Sequence, residues 1–226
     1  MNVFFINHAL NVKQLSVYNN EERFKQTLET IDSIDKYAPD SLKIIFDSSP
    51  EMPNEEYLQE INRKGVGVVY LGEIPPVKTF SNLGARSLAE CLSFSTFLDW
   101  FMQQNIQVDR IYKLSGRYRL NENFVLNDTS YKDAFVFSNA IDSWMTEDEK
   151  KTTGVDKLYR LRLWHMDSSL LKTFYDALPS IFQDCASHGL DVEHAYYKKL
   201  HLNKIIEVNK IGVCGNIAPT GDYIDE

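Results

Sequence analysis

The sequence predicts an α/β protein, a three-layer sandwich with helices on both faces of a mostly parallel sheet. Two observations carry this. Short apolar runs alternate with an amphipathic stretch at the start of the chain: Asn2–Ile6, then Glu21–Tyr37, then Leu42–Phe46. Such a strand–helix–strand succession gives parallel strands joined by right-handed crossovers. The composition, 43% hydrophobic and 25% charged over 226 residues, is that of a globular chain long enough for one large core.

Each element has its own reason. Asn2–Ile6 is short and apolar, as a buried strand is, and ends at Asn7-His8. Glu21–Tyr37 is helical by period, because Phe24, Leu28, Ile31 and Ile34 recur at spacings of three and four. Leu42–Phe46 is a second strand closed by Asp47-Ser-Ser-Pro50. Glu55–Arg63 is a short helix and Gly67–Leu71 a third strand. Pro75-Pro76 breaks the chain before a helix from about Leu83 to Gln104, which Ser81 or Asn82 would cap. Ile111–Leu114 is the fourth strand and Ala134–Ser138 another. Asn121–Asp133 between them is loop-rich, and the charged segment Trp144–Asp156 is either a surface loop or a solvated helix. Tyr159–Met166 alternates as a strand, with Tyr159, Leu161, Leu163 and His165 on one face and Arg160, Arg162, Trp164 and Met166 on the other. Helices follow over Ser168–Leu178, from Pro179 to His188-Gly189, and from Asp191 onward. Ile205–Val208 is a strand, and Gly212–Gly221 a glycine-punctuated loop.

A net charge of −8 argues against a general nucleic-acid binder, which would carry a basic face. Cys91, Cys185 and Cys214 are widely spaced and form no CxxC pair, so neither a disulfide framework nor a cysteine zinc site is expected. No window approaches the ~20 apolar residues of a membrane span, and the amino terminus lacks a basic leader. A cytoplasmic protein without a redox cofactor is the expectation. There is no phosphate loop of GxxxxGK[ST] type.

The candidate site residues gather at strand ends, where α/β sheets bind ligands. Gly116 follows the fourth strand and allows close approach of backbone, while Arg117 and Arg119 offer forked donors suited to phosphate. His8 either lines a site or is a satisfied turn residue. Asp47 either accepts hydrogen bonds from a base or ribose, or caps its own turn. Lys78 and Arg86 bracket a helix start whose amides suit an anion.

With these pieces placed, the chain resembles the nucleotide-sugar-dependent glycosyltransferases of GT-A fold, particularly small bacterial and phage-type members. The likeness lies in Ile44-Ile-Phe-Asp47-Ser-Ser, in Ser81-Asn-Leu-Gly84-Ala-Arg86, in Tyr112-Lys-Leu-Ser-Gly-Arg-Tyr-Arg119 and in Gly189-Leu-Asp-Val-Glu-His194. It implies one Rossmann-like domain over 1–226, with a nucleotide-binding part to about 120 and an acceptor-side part from about 121. It implies transfer of a hexosyl group from a nucleoside-diphosphate sugar, UDP-sugar favoured, to a hydroxyl of a glycan or other acceptor, as in polysaccharide biosynthesis. The alternative is a non-catalytic nucleotide-sugar or glycan-binding domain of the same fold.

The resemblance also assigns roles. The third stretch stands where the family carries a metal-binding Asp-X-Asp, yet here Lys113, Ser115 and Arg117 alternate. Fixed cations would then share the work of a divalent Mn or Mg ion on the departing diphosphate; a metal held elsewhere, with His194, is the other option. Glu193 and Asp191 are the candidate catalytic bases. Two residues apart on a helix they point roughly 200° from each other, so one at most faces the sugar, and Glu193 is the better candidate if Asp191 caps the helix. Tyr118 and His165 are the candidate acceptor or sugar contacts, with Trp164 the alternative to His165.

Overall fold

The computed structural model of the chain describes residues 1–11, 16–201 and 203–226. The first part runs β1 (Asn2–His8), α1 (Asn20–Tyr37), β2 (Leu42–Asp47), α2 (Glu55–Arg63), β3 (Gly67–Tyr70), α3 (Pro75–Asn82) and α4 (Arg86–Gln103). Next come β4 (Arg110–Ser115), β5 (Tyr118–Leu120), β6 (Phe135–Ser138), β7 (Ile141–Asp142), α5 (Glu147–Thr153) and β8 (Lys157–Leu158). The chain closes with β9 (Leu163–Asp167), α6 (Leu171–His188), α7 (Val192–Leu200), β10 (Ile205–Val208), β11 (Val213–Asn216) and β12 (Tyr223–Asp225).

Seven strands make the central sheet in the order β10-β6-β9-β4-β1-β2-β3. β1 lies parallel to both β2 and β4, β3 is parallel to β2, and β10 to β6. β9 alone runs against its neighbours, β4 and β6. The sheet is thus mostly parallel, as expected, and takes strands from both halves of the chain.

Side chains alternate along a strand, so each central strand feeds two cores. Val3, Phe5, Ile44, Phe46 and Ile111 pack beneath α4, α6 and α7. Phe4, Ile6, Ile45, Tyr112 and Leu114 pack on the opposite face with α1, α2, β5 and β11. Covering both faces makes the three layers. Phe5 is a keystone of the first core, edge-on to Phe97 at 4.8 Å and to Phe101 at 4.7 Å.

Local signals explain the helix ends. The Asn19 side chain accepts the Glu22 amide at 2.9 Å and the Glu22 carboxylate accepts the Asn19 amide at 2.8 Å, a capping box that starts α1. Gly189, at φ 66°, ends α6 in the left-handed conformation that glycine adopts without penalty.

Several elements differ from expectation. The stretch after Pro75-Pro76 forms two helices, not one: Ser81 and Asn82 end α3, and Gly84 at φ 71° turns the chain before α4, which has no side-chain cap. α6 runs unbroken through Pro179, because Phe174, Leu178, Ile181 and Cys185 bury one face and offset the lost hydrogen bond. Only Leu163 onward of the alternating stretch is strand. The tail forms β11 and β12, which join β5 in a three-stranded sheet. Among the described residues, no helix is long and apolar enough to cross a membrane.

Phe5→Ala should cost about 3–5 kcal/mol of stability, the usual penalty for a fully buried aromatic, measured by denaturant unfolding. A loss below about 1 kcal/mol would show that this core is not tightly packed.

Candidate functional site

The parallel strands end together. The sheet register sets His8 opposite Asp47, Asp47 opposite Tyr70, and Asn7 opposite Ser115. Because β9 is antiparallel, it begins where β4 ends, with Leu163 opposite Leu114. The segment before it, carrying Arg160 and Arg162, therefore joins the same edge.

At this edge the chain gathers guanidinium groups. Burial first, then the nearby charge of Arg117 and to a smaller extent that of Arg86, lower the pKa of Arg23 to about 10 against the opposing charge of Asp47. Arg86 is likewise held below its ordinary value by burial and then by Arg117. Arg117 lies over the Tyr118 ring at 4.9 Å and Arg162 at 5.6 Å, and both donate to its hydroxyl, at 3.4 and 3.3 Å. Arg160 and Arg162 also pair with the Glu226 side chain. Arg23 and Arg117 form no ion pair with a carboxylate among the described residues, and the Nε of each is buried without a partner. Two guanidiniums that repel each other and hold unsatisfied donors, as Arg23 and Arg117 do, are chemically suited to an anion.

The loop geometry beneath them is tight. A Cβ on Gly116 would stand 2.0 Å from His8 Cδ2, so only glycine lets the β4 end pass over His8. His8 Nε2 meets Thr27 Oγ1 at 2.7 Å, and burial pushes the His8 pKa down to about 4. Asp47 is fully buried and accepts the amides of Leu10 at 2.8 Å and Ser49 at 2.9 Å. Of its two sequence readings, the structure supports the one in which it stitches its own turn.

The acidic half of the edge comes from α7. Asp191 is the N-cap, accepting the His194 amide at 2.9 Å. Glu193 is half-buried, with the Leu161 amide 3.5 Å from its Oε1. Burial raises its pKa, and the neighbouring carboxylates of Asp191 and Glu90 raise it further, while Arg162 opposes them. Of the two candidate bases, Glu193 alone keeps its carboxylate free of capping.

Other candidates are corrected. Lys113 is buried, and its ammonium contacts Leu161 O at 2.8 Å, Glu90 Oε1 at 3.1 Å and Ser115 Oγ at 3.2 Å. Three acceptors use its three donors, so it braces the edge from below and has none left for phosphate. Ser115 is part of that brace. The Tyr118 ring is buried under two guanidiniums and has no face for a sugar. His165 lies on β9 opposite Tyr112, buried against Arg110 and Tyr131 and short of the edge, while Trp164 is fully buried in the opposite core. Lys78 is exposed on α3 and forms no ion pair among the described residues. His194 has both ring nitrogens engaged, with Ser143 at 2.8 Å and Asp191 at 2.7 Å, and is not free to hold a metal. Arg119 points to α1, pairing with Glu29 at 3.0 Å.

Arg23, Glu90 and Arg162 escaped the sequence reading. One signal was present for Arg23: with Thr27, Thr30 and Ile34 it forms a buried stripe at helical spacing, polar where it approaches the edge. A concavity of about 330 Å3 bordered by Asp32, Lys36, Arg119 and Glu122 lies behind α1 and includes none of the site residues.

No protein-family model matches the chain, and no curated protein matches it in sequence. Among solved structures it is similar to a glycosyltransferase involved in the glycosylation of the major capsid of PBCV-1, at TM-score 0.43 and 7% identity over 92% of this chain and 81% of that one. It is also similar to mouse xyloside xylosyltransferase 1 in its apo form, at TM-score 0.45 and 10% identity over 92% of this chain and 84% of that one. Both are glycosyltransferases, the family that the sequence resembles. At such scores the likeness carries nothing about the chemistry of the edge.

The histidines give a pH prediction. His8 and His165 have folded pKa values of about 4 and about 3, both set first by burial and both below the ordinary 6.5. Above pH 6.5 both are neutral, folded or unfolded; below it the unfolded chain takes up protons that the folded chain refuses. Stability should therefore fall as pH drops from about 6.5 toward 4. Denaturant unfolding between pH 7 and 5 checks this, and His165→Gln should flatten the slope by one proton's worth.

Proposed function

We propose that the chain is a glycosyltransferase, moving a sugar from a nucleoside-diphosphate sugar to a hydroxyl of a glycan or other acceptor. The observation that carries it is the meeting, on one sheet edge, of Arg23 and Arg117, which repel each other and form no ion pair with a carboxylate among the described residues, with a half-buried carboxyl of raised pKa. Arg23, Arg86 and Arg117 would take the diphosphate, with Arg162 between them and Glu193.

The chemistry follows from that placement. Glu193 takes the proton of the acceptor hydroxyl as its oxygen attacks the anomeric carbon. The bond from that carbon to the diphosphate breaks, and the nucleoside diphosphate leaves with the electron pair. Preorganised guanidiniums stabilise the negative charge that grows on the leaving group. A base whose pKa lies closer to neutrality than an ordinary carboxylate's is better matched to this proton transfer.

A divalent cation fits the end of β4 poorly. Lys113, Ser115 and Arg117 stand there, a cationic and neutral donor set, and among the described residues no group of three or more His, Cys, Asp or Glu is placed to hold a metal. The charge on the leaving group is therefore assigned to arginine.

Release of nucleoside diphosphate from UDP- and GDP-sugars, with Mn2+, Mg2+ or chelator, tests the proposal. Donor-selective release that persists in chelator is expected. Binding without release under every condition would favour the non-catalytic nucleotide-sugar or glycan-binding domain, and neither binding nor release would reject both. Arg117→Ala should weaken diphosphate binding by about 10–100-fold, the worth of a charged hydrogen bond, and leave nucleoside binding alone; equal losses would contradict a phosphate role.

Glu193→Gln should lower transfer by about 10²–10⁴-fold while sparing nucleotide affinity. The acid limb of the wild-type rate profile should lie above the ordinary carboxylate range, since Glu193 must be ionised to act. A carboxyl with a raised folded pKa opposes folding once ionised, so the same variant should be more stable than wild type at pH 7. That difference should vanish below the ordinary carboxylate range. Unchanged turnover would remove Glu193 as the base.

A further inference from the structure

Trp144 is 64% exposed, whereas Trp164 is fully buried and Trp100 packs against the core. An exposed apolar residue alone says little. Here the indole is held in place, and what holds it leads back to α7.

The Asp191 carboxylate meets His194 Nδ1 at 2.7 Å, and His194 Nε2 meets Ser143 Oγ at 2.8 Å. A carboxylate only accepts, so Nδ1 carries the proton; with a neutral imidazole Nε2 then accepts and the Ser143 hydroxyl donates. The imidazole fixed in this way meets the Trp144 ring edge-to-face, 4.9 Å between centroids at 83°. Ser143 is anchored in turn, its amide donating to Asp156 O at 2.8 Å beside the β7–β8 hairpin. Serine, histidine and aspartate in this order have the contacts of a nucleophilic triad. Ser143 is buried, however, and its oxygen already accepts the Met145 amide at 3.0 Å, so the trio is a clamp.

Asp191 caps α7, and Glu193 sits in the same first turn. The clamp thus ties an exposed indole to the helix end that carries the proposed base. In the hairpin that holds Ser143, Asp142 and Asp156 are exposed and both act on Lys150. An apolar plate in an acidic hairpin matches a pyranose ring, whose C–H face is apolar and whose hydroxyls donate to carboxylates. Residues 142–157 carry five carboxylates against three lysines, a balance that disfavours anionic sugars.

We propose that Trp144 is the stacking platform for a neutral pyranose of the acceptor, with Ser143 and His194 as its positioning residues. As an acceptor subsite this rests on the transferase reading; as a sugar-binding surface it stands apart from it.

The test is capture of wild-type, Trp144→Ala and Trp144→Phe protein on an array of neutral, amino and anionic glycans, with UDP and GDP affinity and melting temperature measured on the same preparations. Wild type should capture neutral glycans. The alanine variant should lose about tenfold or more and the phenylalanine variant less, with nucleotide affinity and melting unchanged. Ser143→Ala, which loosens the clamp and keeps the indole, should weaken capture and make tryptophan emission easier to quench with acrylamide. No capture by wild type, equal capture by Trp144→Ala, preference for anionic glycans, or a parallel loss of nucleotide affinity would each overturn the platform. Nucleotide affinity that is indifferent to Arg117→Ala, with Trp144-dependent capture intact, would remove the transferase reading and keep the platform.

Discussion

Positive charge held against its own repulsion is the constraint on which this sheet edge depends. Arg23 and Arg117 lie near enough to disturb each other, partly desolvated, and neither is ion-paired with a carboxylate among the described residues; the Asp47 charge offsets the repulsion on Arg23 only in part. Such an arrangement costs stability, and the surrounding fold supplies what keeps it in place. Gly116 passes over His8 where no other residue could. Thr27 ties His8 to the α1 side of the edge. Tyr118 lies under two guanidiniums and accepts from both. Asp47 spends its carboxylate on the amides of the adjoining loop and so shapes the edge without pairing an arginine.

Residues of one type meet different fates here, and position decides which. Lys113 and Arg117 are four apart on the same stretch, yet one side chain is enclosed and saturated by three acceptors while the other reaches the edge past Gly116. Asp191 and Glu193 share a helix turn, but the cap engages the first and leaves the second half-buried with its proton held more tightly. His8, His165 and His194 are all buried, and each has a neighbour on at least one ring nitrogen. Chemical type nominates a residue; the partners around it accept or refuse the nomination.

The parts legible in the sequence were those set by local period. β1, α1, β2, α2 and β10 follow from apolar spacing, and the gathering of candidates at strand ends follows from parallel topology. Arg117 was nominated from a strand end, Arg86 from a helix start and Glu193 through the family resemblance; the structure sets Arg86 near Arg117 and Glu193 near Arg162. Lys113 was misjudged although alternation with Ile111 pointed it into the core face. Arg23 was missed because Phe24 and Leu28 gave α1 an obvious apolar face, while its more deeply buried stripe is partly polar. The split between α3 and α4 turns on one glycine dihedral, and nothing local announces that Glu226 will meet Arg160 and Arg162. Those contacts depend on strands far apart in the chain closing correctly.

The antiparallel course of β9 has a consequence for how the molecule comes into being. Reversal of that one strand carries Arg162 to the edge where β4 ends, so cations from residues 23 and 117 share a surface with residue 162 and with a carboxylate from residue 193. Contacts spanning such distances along the chain form late, after many loops have closed. The full edge therefore waits for the second half of the chain: residues 23 and 117 belong to elements within the first 120 residues, whereas Arg162 and Glu193 come only with β9 and α7. An anion that prefers the arranged cluster discriminates between finished and unfinished molecules, and in binding it draws the population toward completion.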